Sequence, residues 1–138
     1  MVGLSLQAND DDGAKHAIRR LFELQQQRVL TFNEFEIKFK EYLLDAPKFQ
    51  LERLKLICKQ IGDAFNEINR QIIEQVLNYL KETTAAAAND NASLIKLVES
   101  IQENEEVKFK LVMLIRKNSL HTTKRITAIN IEIFLYIL

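Results

Sequence analysis

The chain has 138 residues, of which 47% are hydrophobic and 28% charged, a balance that suits one folded domain and excludes a disordered tail protein. Lys and Arg together number 19, as do Asp and Glu, which excludes an overall basic nucleic-acid binder and an acidic tail protein while leaving a local basic face open. Three glycines and one proline supply so few breakers that long uninterrupted helices are expected.

Residues 1–12 read as a flexible leader. "MVGLSLQANDDDG" has neither a basic n-region nor a long apolar stretch, so no secretory signal is expected and the protein should work inside the cell. Asp10, Asp11 and Asp12 suit the positive end of a following helix, with Asp12 as its N-cap. That helix should run from about Gly13 to Leu44 and open a helical domain spanning 13–118. Ile18, Leu21, Gln25, Arg28, Phe32, Phe35, Phe39 and Tyr42 repeat at alternating spacings of three and four, the period of a heptad seam. Leu24, Val29 and Leu43 widen it enough to face two neighbours.

"LDAPKF" interrupts the pattern. Pro47 is tolerated in a first helical turn, Asp45 can cap it, and so short a connection makes the next helix an antiparallel neighbour. The second helix is expected from Pro47 to Glu82, with a stripe of Leu51, Leu54, Cys58, Ile61, Phe65, Ile68, Ile72 and Val76 that Leu77 and Leu80 continue. Gly62 within it suggests a close helix–helix contact, and Cys58 on the stripe reads as a small buried hydrophobe. "TTAAAANDNAS" is a low-complexity linker. The third helix is expected from Ala92 to Asn118, with Leu94, Leu97, Val98, Ile101, Phe109, Val112, Met113 and Ile115 as its apolar residues and a polar break at "QENEEVK".

Residues 119–138 form an atypical apolar tail. Ile129, Ile131, Ile133, Leu135 and Ile137 alternate as in a strand, which leaves open an edge strand in a homodimer, a short packed helix or an irregular tail. The apolar run is too short for a membrane span of about 20 residues. The fold class is therefore all-α: three long helices in an antiparallel, coiled-coil-like bundle.

The motifs of catalysis are missing. The sequence has no phosphate loop, H-E-x-x-H, C-x-x-C or nucleophile elbow. Its two histidines, His16 and His121, lie near opposite ends, and no Glu-x-x-His accompanies the helical carboxylates. A lone cysteine excludes an intrachain disulfide and a Cys-rich zinc module. The expectation is a non-enzyme without catalytic residues, cofactor or metal. The basic pairs Arg19-Arg20, Lys108/Lys110, Arg116-Lys117 and Lys124-Arg125 keep weak direct nucleic-acid binding open. The Phe32, Phe35, Phe39 run would stack bases only if exposed, and its heptad spacing makes it core.

The most informative feature is polar. "LQQQR" places Gln25 and Arg28 where the seam wants Leu, and a buried Arg is costly unless paired. Gln25, Arg28, Gln102, Glu105 and Glu106, with Lys108 beside them, are the candidate polar layer or partner contact, with Arg28 forking onto a glutamate. Such a layer either pins the register of the bundle or receives a partner.

"IRRLFELQQQRVLTFNEFEIKFKEYL", "FQLERLKLICKQIGDAFNEINRQI" and "LIKLVESIQENEEVKFKLVMLI" together resemble the segments of the Required-for-Excision B family, over roughly residues 17–118. Leu24-Gln25 with Arg28, Tyr42-Leu43, Phe65 with Ile68 and Ile72, and Ile101-Gln102 with Glu105 and Lys108 carry the resemblance. It implies an accessory role in excision repair of damaged DNA, in the nucleus, with protein partners and no catalytic residues. A coiled-coil scaffold of a complex unrelated to repair is the alternative that the heptads alone support.

Overall fold

The structure, a computed structural model, describes all residues except Met1, Ala46, Pro47, Phe49, Ala87, Ala88, Asn89, Asp90 and Leu138, and describes 2–12, Ala85, Ala86, Ile131 and Phe134 by their backbone alone. It is all-α. Helix α1 spans Val2–Leu44; a second arm is built from α2 (Leu51–Ile72), a π turn (Ile73–Leu77) and α3 (Asn78–Ala86); the third arm is α4, Ala92–Ile137.

Contacts between the arms fix their directions. Arg20 reaches Gln71 and Gln75, Arg28 reaches Asn69, and Lys38 reaches Gln60. The second arm therefore descends as α1 ascends. Arg28 also meets Gln102, and Glu36 meets Arg116, so α4 ascends alongside α1. Arms adjacent in sequence are antiparallel, as short connections require.

The seam of α1 is the core. Leu21, Leu24, Phe32, Phe35, Phe39 and Tyr42 are buried, as is Arg28. Phe32 stands edge-on to Phe65 with ring centroids 4.6 Å apart, and Phe65 packs on Phe109 at 4.8 Å, so each arm contributes a ring to one aromatic contact. On the second arm the buried stripe is Ile57, Ile61, Phe65, Ile68, Ile72, Val76, Leu77 and Leu80. Leu77 joins it because the chain widens there into a π turn, in which the Asn78 N–H donates to the Ile73 carbonyl. In an uninterrupted α-helix Leu77 would stand about 140° around from Ile72.

Several expectations are corrected. α1 begins at Val2, so the helix passes through Asp12, which is not its N-cap. Cys58 is exposed, and Ile57 fills the buried place because the stripe steps by three from Leu54 rather than by four. Leu51, Val29, Leu97 and Ile115 are exposed, each one helical step outside its seam. Asp45 is not the cap of α2: Gln50 holds that position without a side-chain bond, and the Asp45 carboxylate pairs with Arg53 at 3.1 Å. Pro47 lies outside the described residues. The helical backbone also runs on to Ala86, into the expected linker, of which 87–90 lie outside the described residues.

The tail is helical, not extended. Helix propagation adds one backbone hydrogen bond per residue ordered, and the described residues include no strand with which an alternating segment could pair. The Ser119, Thr122 and Thr123 hydroxyls donate to carbonyls four residues back, which satisfies these polar groups within the helix.

Gly62 is not a close-contact glycine, since a Cβ built there meets nothing within 4 Å. The close approach is at Gly13, where an added Cβ would run into the Tyr79 hydroxyl. Gly62→Ala is therefore expected to stabilise the fold by about 0.5–1 kcal/mol, by lowering the entropy of the unfolded chain. A thermal melt followed by circular dichroism checks this; an unchanged or lower Tm contradicts it.

Candidate functional site: a buried arginine layer

Arg28 is 1% exposed. It sits on the α1 seam between Leu24 and Phe32, where the spacing directs it inward among all three arms. Its Nη1 donates to Gln25 Oε1 at 2.6 Å, from one turn earlier on the same helix. Its Nη2 donates to Asn69 Oδ1 on α2 and to Gln102 Oε1 on α4. Three amide oxygens, at least one from each arm, thus gather round one guanidinium. Burial pulls the Arg28 pKa below its ordinary value, and the Glu105 carboxylate pushes it back up. Arginine remains charged through such shifts, so the layer holds a permanent positive charge within the bundle.

Glu105 lies on the same layer without bonding to the arginine. Arg28 Nε and Glu105 Oε2 are both buried and both lack a hydrogen-bond partner. The forked arginine–glutamate pair expected from the sequence is therefore replaced by amide acceptors. A carboxylate in the layer would itself need desolvating, whereas an amide oxygen accepts a charge-assisted hydrogen bond at smaller cost.

The structure brings together Gln25, Arg28 and Gln102, and sets Glu105 beside them. Glu106 does not join. It is exposed and pairs with Lys110 at 3.2 Å, because one residue beyond Glu105 turns it about 100° around the helix. Lys108 lies over the Phe32 ring, 4.6 Å from its centroid, where it covers the aromatic core. Asn69 is the member that sequence reading missed. In "EINRQI" it looks like one of many surface amides. The antiparallel pairing of Phe32 with Phe65 provides the signal, since four residues back along α1 and four forward along α2 bring Arg28 opposite Asn69.

The layer divides the core. On one side lies a cluster of Ala17, Leu21, Leu24, Ile68, Ile72, Val76, Leu77, Leu80 and Val98. On the other lie Phe32, Phe35, Phe39, Tyr42, Ile57, Ile61, Phe65 and Leu120. Beside the layer, between α2 and α4, opens a groove of about 400 Å³ lined by Gly62, Phe65, Asn66, Asn69, Glu105, Glu106, Phe109 and Lys110. Two of its walls are thus members or neighbours of the layer, and Gly62 leaves it open on the α2 side.

The other shifted groups are peripheral. Hydrogen bonds from Arg70 and Gln71 hold the exposed Glu67 carboxyl at about 2, and those to Glu67 and Glu74 raise Arg70. Burial raises the Tyr42 hydroxyl. Cys58 is exposed as a residue, yet enough protein surrounds its thiol to raise it as well, the opposite of what an activated nucleophile requires. Among the described residues no group of His, Cys, Asp or Glu is placed to hold a metal ion, and no helix is long and apolar enough to cross a membrane.

The family model described as DNA repair REX1-B matches residues 16–118. The chain belongs to the DNA repair REX1-B family. Neither the curated proteins nor the solved structures contain a match to it. The REX1-B span covers every residue of the arginine layer and ends within α4, ahead of the tail.

Arg28→Ala would leave three amide oxygens and a buried carboxylate without their cation. It is expected to cost about 3–5 kcal/mol, whereas Arg19→Ala, at an exposed position, should stay within about 0.5 kcal/mol. Urea denaturation of both variants checks the contrast, and equal midpoints would contradict it.

Proposed function

We propose that this protein is a non-enzymatic accessory factor in excision repair of damaged DNA, acting in the nucleus through contacts with other proteins. Membership of the DNA repair REX1-B family carries the reading. The structure supports a part played through contacts. The matched span folds into three long arms around a rigid polar layer, with a groove beside that layer. Rigid arms that hold a preformed groove suit docking, because little conformational freedom remains to be lost on binding.

Direct nucleic-acid binding has less support. Of the basic groups that raised it, Arg20 bonds to Glu23, Gln71 and Gln75. Arg116 pairs with Glu36 at 2.5 Å, Lys110 pairs with Glu106, and Lys108 covers Phe32. Cations engaged in this way are poorly placed to neutralise a run of phosphates.

Cells lacking the protein are expected to remove ultraviolet photoproducts more slowly, with wild-type protein restoring the rate. A variant that fills the groove, Gly62→Trp, should fold with wild-type helicity and fail to restore it. Normal photoproduct removal without the protein would refute the reading. Stable co-purification with one complex unrelated to repair would favour the scaffold alternative.

A further inference from the structure

We infer that the C-terminal part of α4 is a self-association surface that pairs antiparallel with the same segment of a second copy of this chain. Arg116 meets Glu36 and Leu120 belongs to the cluster that contains Tyr42, so eight residues on from that pair Lys124 falls level with Leu44, the end of α1. Residues 125–137 of α4 therefore run beyond that end, about 20 Å of helix at ~1.5 Å per residue.

Exposed apolar residues line a side of α4 that does not face its own bundle. The face of α4 that meets the other arms carries Val98, Gln102, Glu105, Phe109 and Leu120, and it is continued past Leu120 by the half-buried Thr123 and Thr127. The exposed apolar residues occupy a second stripe more than a third of a turn away. Leu111, Ile115, Ile126, Ile129, Ile133 and Tyr136 fall on it at spacings of three and four, with Asn118 and Thr122 in the gap. All six are exposed, from 52% for Leu111 and Ile133 to 91% for Tyr136.

The charges beside this stripe identify a second copy as its occupant. Within the stripe, Thr122, Ile126, Ile129, Ile133 and Tyr136 follow heptad spacing, and Arg125 and Glu132 hold equivalent flanking positions one heptad apart. When two such helices pair antiparallel about a twofold axis, Ile126 of each copy faces Ile129 of the other. Arg125 of each copy then lies opposite Glu132 of the other, and symmetry makes the pair twice. In a parallel pairing Arg125 would face Asn130, and the match would be lost. A membrane-surface helix would instead have a Lys- and Arg-rich polar face along its length, whereas the polar positions between Ile126 and Tyr136 are Thr127, Asn130 and Glu132. Two overhangs of this length bury on the order of 1,000 Å², the low end for a specific interface, so the dimer should depend on concentration.

Sedimentation equilibrium of the full chain over a range of concentrations tests this. The wild type is expected to approach twice the chain mass at the upper end, and Ile129→Asp to remain monomeric. Arg125→Glu should weaken association about tenfold, and Arg125→Glu combined with Glu132→Arg should restore it. Circular dichroism establishes that each variant retains its helices. A wild type that stays monomeric overturns the inference, as does a dimer that Ile129→Asp leaves intact or that the combined charge exchange fails to restore. A monomer whose overhang binds phosphatidylcholine vesicles overturns it equally.

Discussion

A guanidinium removed from water must be surrounded by acceptors, and that requirement governs this bundle. Apolar seams alone would let the arms slide by a heptad at modest cost, since Leu, Ile and Phe recur at each step. Arg28 does not permit the slide. Only one alignment brings Asn69 and Gln102 within reach of its Nη2, and any other strands a buried charge. The flanking contacts agree with that alignment: the Phe32–Phe65 edge contact on one side and the Arg20 bonds to Gln71 and Gln75 on the other. The division of the core into an aliphatic and an aromatic cluster follows from the same constraint, because the layer lies between them.

Much of this was legible in the sequence, and the failures have physical causes. The α1 seam could be read because its spacing is regular and its aromatic residues are large. Gln25, Arg28 and Gln102 stood out as polar residues interrupting that regularity. Asn69 did not, because it lies beside the apolar stripe of α2 rather than within it, and its role exists only once the arms are aligned. Cys58 and Ile57 are adjacent, and both continue a helical pattern. A step of three or of four from Leu54 decides between them, and neighbouring arms make that decision. The tail misled because alternation of β-branched residues is evidence for a strand only where a partner strand exists. Here a helix already under way at Leu120 simply continues.

The site and the family lead to the same part of the molecule by separate routes. The arginine layer and its groove lie inside the REX1-B span, while the overhang of α4 lies beyond it. An interaction at the groove and one at the overhang would therefore use different faces and different chemistry: polar and partly aromatic in the first case, aliphatic and charge-flanked in the second. Engagement of one leaves the other free, so the fold can in principle join two associations on one rigid body.

The π turn at Ile73–Leu77 lets the second arm carry one residue more than a regular helix of the same phase would. Helical phase accumulates at about 100° per residue, and the extra residue in that turn resets the phase between the stripe of α2 and that of α3. Inserting a residue into α2 without such a turn to absorb it would rotate everything after it by about 100°. Leu80 would then leave the core, and Tyr79 would swing away from the space that Gly13 leaves for it. Elsewhere on the exposed faces of this arm the identity of a residue matters little. Within the turn, Ile73, Glu74 and Gln75 are exposed while Val76 and Leu77 are buried, so the arm should accept loss of one exposed residue there more readily than substitution of the two buried ones.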